Sequence, residues 1–101
     1  MRTNAKRMAD SVVREVEVVN PLGIHARPSH AIVSTASRFA AAVQLRGADR
    51  VADARSILSV MTLGAVQGTR LRIEAQGADA EAAADALAEL FAAGFHERGD
   101  S

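Results

Sequence analysis

The segment GIHARPSH, residues 23 to 30, contains two of the chain's three histidines together with an arginine. We expect a helix to begin near Ala26, because proline is tolerated in the first turn, where its missing N–H has no partner in any case. A helix N-terminus presents free backbone N–H groups and a partial positive charge, which together favour a bound anion. His25 stands immediately before this terminus, and Arg27 adds a guanidinium that can hold phosphate oxygens in a bidentate manner. These residue types in this order suit a phosphate held beside an imidazole.

The chemistry that this arrangement suits is transfer of a phosphoryl group through His25. The positive field of the helix terminus favours the neutral imidazole, which is the nucleophilic form of the ring. The phosphate would be held by N–H donors and Arg27, with no metal. The simpler interpretation is that His25 and Arg27 are ordinary cap residues at a helix start without a chemical role. The residues alone leave both interpretations open.

The other two histidines carry weaker signals. His30 lies five residues after His25, and His25 lies outside the predicted helix, so the spacing does not favour a shared metal ion. We therefore predict a surface or half-buried helical position for His30 and an exposed position for His96.

The composition restricts the class of protein. The chain has 101 residues, the size of one domain, and a formal net charge of zero, which argues against a nucleic-acid-binding face. It has no cysteine, which fits a reducing compartment. It has no apolar run of membrane-spanning length and no secretory signal, so we expect a cytoplasmic protein without membrane contact. We predict a disordered leader at 1–10, one domain at 11–96 and a flexible tail at 97–101.

Hydrophobic periodicity predicts four strands and three helices. The strands are expected at 12–19, 41–46, 50–53 and 69–76, and the helices at 26–39, 56–63 and 80–92. Asp79 is a plausible N-cap for the last helix. The order β-α-β-β-α-β-α, with one apolar face on each strand, predicts an α+β fold with an antiparallel sheet covered on one face by three helices.

Three sequence blocks resemble the HPr family, the histidine-containing phosphocarriers of the bacterial phosphoenolpyruvate-dependent phosphotransferase system. The blocks are GIHARP at 23–28, RSILSVMTLG at 55–64 and QGT at 67–69, and the resemblance covers about residues 12 to 95. It implies an open-faced β-sandwich with a four-stranded sheet. It also implies a stoichiometric carrier rather than an enzyme, which takes a phosphoryl group from phosphorylated Enzyme I and passes it to an Enzyme IIA domain without a bound cofactor.

The same resemblance assigns roles to individual residues. His25 matches the histidine that is phosphorylated on Nδ1, and Arg27 matches the arginine beside it. Ser56 matches a serine that HPr kinase/phosphorylase modifies in many relatives, although as the first residue of a helix it also suits an N-cap. The partner-docking residues of the family correspond to a short apolar set, which core packing would explain equally well: Ile57, Leu58 and Met61.

Two alternatives to a sugar-transport carrier stay open. Leu22 and the ending around Phe91 look more like the nitrogen-related branch of the family, NPr, whereas Pro28 and the Thr-Leu-Gly at 62–64 look more like the sugar branch. A second alternative is a regulatory module in which phosphorylated Ser56 is read by a transcriptional regulator. Arg55 stands where such relatives often have lysine.

Overall fold

Four strands and three helices follow one another in the predicted order in the computed structural model, which describes residues 11–97. The strands are β1 (Ser11–Glu17), β2 (Ala42–Arg46), β3 (Val51–Asp53) and β4 (Arg70–Gln76). The helices are α1 (Ala26–Ala36), α2 (Ile57–Met61) and α3 (Ala80–Ala92), and a short turn over Gly94–His96 follows α3. The predicted leader and residues 98–101 lie outside the described residues.

The strands form one antiparallel sheet in the order β1-β4-β2-β3. Alternation places Leu71, Ile73 and Ala75 of β4 in the core and leaves Arg70 and Arg72 on the open face. α3 packs against β1 and β4, and α1 packs against both α2 and α3. The predicted fold class is therefore confirmed.

The helices cover the sheet with an aliphatic, alanine-rich layer. Ala83, Ala84 and Leu87 of α3 are completely buried. The largest fully buried hydrophobic side chains are Phe91, Ile32, Leu45, Ile73 and Leu87. The longest helix, α3, has 13 residues, and within residues 11–97 no helix is both long and apolar enough to cross a membrane.

Two helices end earlier than the periodicity predicts. α1 ends at Ala36 instead of Phe39, because the N–H groups of Arg38 and Phe39 donate to carbonyls three residues back and tighten the chain. α2 ends at Met61 instead of Leu63, whose N–H makes the same kind of bond. Phe39 still packs against the core from this turn, as its place in the apolar pattern required.

Asp79 occupies the N-cap position of α3, but its side chain does not cap that helix, so the predicted role is wrong. Its carboxylate instead accepts the backbone N–H groups of Ala40 and Ala41, at 2.9 and 2.8 Å. Arg55 donates to the carbonyls of Phe39 and, at 3.1 Å, Ala41. Both side chains therefore hold the connection between α1 and β2 in place.

This connection should make the stability of the fold depend on pH in the acid range. The pKa of the Asp79 carboxyl is lowered below its usual value of 3.8, most strongly by the hydrogen bond from the Ala40 N–H. The Ala41 N–H and the Arg55 guanidinium lower this pKa further, whereas desolvation raises it. A depressed folded-state pKa adds stability above the unfolded value, and that stability is lost as the pH falls through the folded-state value.

Asp79→Asn should therefore lower the free energy of unfolding near neutral pH, because the amide cannot accept both N–H groups. The difference from wild type should shrink well below pH 3.8. Urea denaturation at both pH values measures it. Asp49→Asn, an exposed position in the β2–β3 turn, is the control and should change little. A deficit for Asp79→Asn that is the same at both pH values would contradict the role of the ionised carboxylate.

Candidate functional site

The loop before α1 is held in a single shape by Asn20 and Gly23. Asn20 is buried, and its side-chain amide donates to the Gly23 carbonyl at 2.7 Å, while the Gly23 N–H donates to the Asn20 carbonyl at 3.1 Å. Gly23 adopts a left-handed φ of +71°. The next N–H, that of Ile24, donates to the Ala65 carbonyl at 2.9 Å. The loop is therefore tied to a second loop, and His25 leaves it in a defined direction.

His25 is the N-cap residue of α1, and its backbone is held twice. Its carbonyl accepts the backbone N–H of Ser29 at 3.0 Å and the Ser29 hydroxyl at 2.8 Å. Ser29 is completely buried, so its hydroxyl is shielded from water. Ser29 was not predicted to take part in the site, although a hydroxyl four residues after the N-cap is a local pattern that can bond back to it.

The first turn of α1 presents the features that an anion requires. The N–H groups of Ala26 and Arg27 have no acceptor within the helix, because they precede its first complete turn. Pro28 follows, is fully buried and lacks an N–H. The first turn contains no acidic residue. The side chain of Arg27 is exposed and forms no salt bridge with any residue in 11–97, so its guanidinium is free to meet a phosphate.

The His25 ring also contacts a residue that the sequence analysis placed in the flexible tail. Nε2 of His25 lies 2.8 Å from Oε2 of Glu97, and the second carboxylate oxygen accepts the Asn20 amide at 3.0 Å. The His25 side chain is 37% exposed and that of Glu97 only 12%. Within the described residues, Glu97 is therefore part of the site. No local pattern could have indicated this, because the two residues are 72 positions apart.

The apolar residues Ile57, Leu58 and Met61 form what we call the docking patch. All three are exposed, at 37%, 79% and 42% respectively, so core packing does not explain them. They lie on α2, which packs against α1, the helix that carries His25 at its start. Ser56 is the N-cap of α2, as predicted, and its hydroxyl oxygen accepts the Ser59 N–H at 3.1 Å.

The remaining histidines do not join the site. His30 lies exposed on α1 and His96 is exposed in the turn after α3, as predicted. Among residues 11–97, no group of three or more His, Asp or Glu side chains is placed to hold a metal ion. The site is therefore built from His25, Arg27, the start of α1 and Glu97.

Comparison with known proteins gives one consistent result. Residues 12–93 match the family described as the PTS HPr component phosphorylation site. The chain is 42% identical to phosphocarrier protein HPr of Xylella fastidiosa, over 82% of this chain and 93% of that one. It is 39% identical to phosphocarrier protein NPr of Proteus mirabilis, over 83% of this chain and 94% of that one. The crystal structure of HPr-C-His from Thermoanaerobacter tengcongensis superimposes with a TM-score of 0.82 and 34% identity, covering 86% of this chain and 98% of that one.

Proposed function

The chain belongs to the HPr family and is a phosphocarrier of the phosphotransferase system, and we propose that His25 is the residue that carries the phosphoryl group. The observation that supports this choice is the position of His25. Its half-exposed imidazole stands at the start of α1, next in sequence to N–H groups that have no acceptor within the helix and to the exposed side chain of Arg27. Among residues 11–97, nothing gives His30 or His96 such surroundings.

We propose a transfer in two displacements. The lone pair on Nδ1 of His25 attacks the phosphorus atom carried by Enzyme I, so that an N–P bond forms and the bond to the donor breaks with its electron pair returning to the donor. The N–H groups of Ala26 and Arg27 and the Arg27 guanidinium hold the phosphoryl oxygens. An Enzyme IIA domain then attacks the same phosphorus, and the electron pair of the N–P bond returns to Nδ1.

The protein acts in this scheme as a stoichiometric carrier rather than as an enzyme. Each molecule takes one phosphoryl group, releases it to the next protein and returns to its starting state. The groups that hold the phosphate belong to the chain itself, so the scheme requires no bound cofactor. We propose a cytoplasmic location, which suits a chain without cysteine.

The central experiment is phosphorylation by the complete donor system. The protein is incubated with phosphoenolpyruvate, Mg²⁺ and Enzyme I, and the mass gain of a single phosphate is measured before and after acid and base treatment. We expect a phosphate that is lost in acid and kept in base, located on His25 by fragmentation of the intact peptide. An acid-stable phosphate, or one located on His30 or His96, would contradict the assignment.

Enzyme I and Enzyme IIA should both bind at the docking patch. An exposed apolar set on the helix that packs against α1 suits a small protein interface. Leu58, the most exposed of the three residues, contributes little to the core. A surface used in turn by two partners also explains why these side chains are left open to water.

A regulatory role for Ser56 is a second candidate function, and the position of its hydroxyl favours it. Ser56 directly precedes Ile57 and Leu58, so a phosphate on its oxygen would place nearly two negative charges at the edge of the docking patch. A phosphate oxygen can still accept the Ser59 N–H, so the modification is compatible with the fold. HPr kinase/phosphorylase is the candidate donor, and a transcriptional regulator is a candidate reader.

Two substitutions at Ser56 should separate its structural and regulatory roles. Ser56→Ala removes the cap of α2 and should lower the free energy of unfolding by about 1 kcal/mol, with little effect on transfer from Enzyme I. Ser56→Asp keeps a capping oxygen and adds charge, so it should keep most of the stability and slow transfer by about tenfold. Urea denaturation and single-turnover labelling measure the two effects. Equal transfer rates in both variants would exclude control by charge at this position.

The Enzyme IIA domain that receives the phosphoryl group decides the branch of the phosphotransferase system. We propose the sugar branch. A nitrogen-related carrier stays as the alternative, because relatives named HPr and NPr are similar to the chain to nearly the same degree. Transfer rates from the phosphorylated protein to Enzyme IIA domains of both branches, measured side by side, decide between them. Faster transfer to the nitrogen-related domain would reverse the choice.

A further inference from the structure

The carboxylate of Glu97 is fixed at both of its oxygens. Oε2 lies 2.8 Å from Nε2 of His25, and Oε1 accepts the Asn20 amide at 3.0 Å. Asn20 is itself buried and bonded to the Gly23 carbonyl, so the carboxylate is anchored to the loop that precedes His25. An ionised carboxylate can only accept hydrogen bonds, so the contact requires the ring proton on Nε2. In the neutral ring, which carries a single proton, the lone pair then lies on Nδ1.

The chain reaches this position through a backbone shape that proteins seldom use. After α3, three successive residues adopt positive φ, with +61° at Gly94, +59° at Phe95 and +61° at His96. For residues other than glycine this region costs on the order of 1 kcal/mol each. Phe95 is buried, and its ring packs edge-on against that of Phe91, with the two ring centroids 4.9 Å apart. The packing of Phe95 therefore holds a turn that directs Glu97 back to His25.

We propose that Glu97 is a positioning residue for phosphoryl transfer through His25. It holds the ring proton on Nε2 and keeps Nδ1 turned toward the phosphoryl group, an inference that rests on the proposed function. Nε2 and Nδ1 are separated by Cε1, so the carboxylate lies on the side of the ring away from the incoming phosphoryl oxygens. Residues about seventy positions apart thus act as one unit, in which Glu97 acts only through the imidazole.

The contact also accounts for the charge of the phosphorylated ring. When the Nδ1 lone pair forms the bond to phosphorus, the ring keeps its proton on Nε2 and gains a positive charge. The negative carboxylate of Glu97 stabilises that charge without taking the proton. When the phosphoryl group leaves, the electron pair returns to Nδ1 and the neutral ring is restored. The cycle then needs no proton transfer to or from His25.

Four full-length proteins test the proposal: wild type, Glu97→Ala, Glu97→Gln and the control Glu89→Ala. Glu89 is an exposed residue of α3, so its replacement should change nothing. The first measurement is NMR of the unphosphorylated protein, with ¹⁵N in the histidine rings. We expect a His25 Nε2–H proton that exchanges slowly with water in wild type and Glu89→Ala, persists in Glu97→Gln and is lost in Glu97→Ala.

The second measurement is the single-turnover rate of transfer from phosphorylated Enzyme I. Loss of one charge-assisted hydrogen bond should slow Glu97→Ala by about tenfold. Glu97→Gln keeps an acceptor but not the charge, so its rate should lie between those of Glu97→Ala and wild type. Amide spectra that overlay outside the site show that the fold is retained.

Distinct results would overturn this proposal and the proposed function. If Glu97→Ala keeps the slowly exchanging ring proton, or transfers at the wild-type rate, Glu97 does not position His25. If the ring behaves as expected but wild type accepts no phosphoryl group from Enzyme I, the proposed function fails, and the positioning role fails with it.

Discussion

A His25→Ala protein is expected to accept no acid-labile phosphate from phosphorylated Enzyme I, under conditions in which wild type is fully labelled. The loss should be complete, because the substitution removes the only atom that forms the bond to phosphorus in the proposed scheme. The carboxylate of Glu97 loses its partner at Nε2, so a decrease of about 1 kcal/mol in the free energy of unfolding is also expected. The fold itself should survive, since the His25 side chain contributes nothing to the core.

His30→Ala is the matched control for this experiment. His30 lies on the same helix, five residues later, and is exposed. It should be labelled at the wild-type rate and with the same acid sensitivity. Labelling of His25→Ala at an acid-labile position would contradict the assignment of the acceptor, whatever the behaviour of the control. A His25→Ala protein that fails to fold would be recognised by urea denaturation, and His25→Gln then replaces it.

The parts of the fold that the sequence predicted are those governed by local periodicity. The alternation of Leu71, Ile73 and Ala75 with charged residues predicted β4 within one residue, and the last helix was predicted with its observed bounds, 80–92. The ends of α1 and α2 were less accurate, because hydrogen bonds to carbonyls three residues back decide them, and no residue type marks that choice strongly.

The parts that the sequence did not predict depend on contacts between distant segments. Asp79 was expected to cap its own helix, but tertiary packing brings Ala40 and Ala41 within reach of its carboxylate. Glu97 was assigned to a tail, because nothing near it in the sequence shows that the chain turns back to His25. Short polar side chains have several partners of similar energy available, so the surrounding fold selects among them.

His25 could be proposed as the phosphoryl acceptor from the sequence alone because the signal that marks it is local. Four consecutive residues contain His25, Arg27 and a proline in the first turn of the helix. Because a helix start favours a bound anion, this combination predicts a phosphate site. The docking patch was ambiguous for the opposite reason. A short apolar set suits both a core and a surface, and only its exposure in the structure distinguishes the two.

Gly23→Ala is expected to have the largest effect on stability of any single methyl group added at the site. Gly23 has a φ of +71°, and a Cβ atom there would lie 2.5 Å from the Ala65 carbonyl oxygen and 2.9 Å from Cα of Val66. Both contacts are with backbone, so relief requires the two loops to separate. The hydrogen bond from Ile24 to Ala65 would then be stretched or lost.

The expected decrease in the free energy of unfolding is about 3 kcal/mol. Of this, on the order of 1–2 kcal/mol is the cost of a left-handed alanine, and about 1 kcal/mol is the lost hydrogen bond, with the steric displacement added. Transfer from Enzyme I should also slow, because the Gly23 carbonyl fixes the Asn20 amide, which in turn holds Glu97. Urea denaturation and single-turnover labelling give the two values.

Gly64→Ala separates the steric effect of the added methyl group from the backbone conformation. Gly64 has a similar left-handed φ of +58°, but apart from its own atoms and those of its two chain neighbours, no atom of the described residues lies within 4 Å of its would-be Cβ. Its substitution should therefore cost only about 1 kcal/mol, since the strain is partly offset by the lower entropy of the unfolded chain. Equal decreases in the free energy of unfolding for Gly23→Ala and Gly64→Ala would mean that the two loops can separate at Gly23 without an additional free-energy cost. In that case the rigid loop inferred before His25 would be wrong, and the direction of the imidazole would have to depend on Ser29 and Glu97 alone.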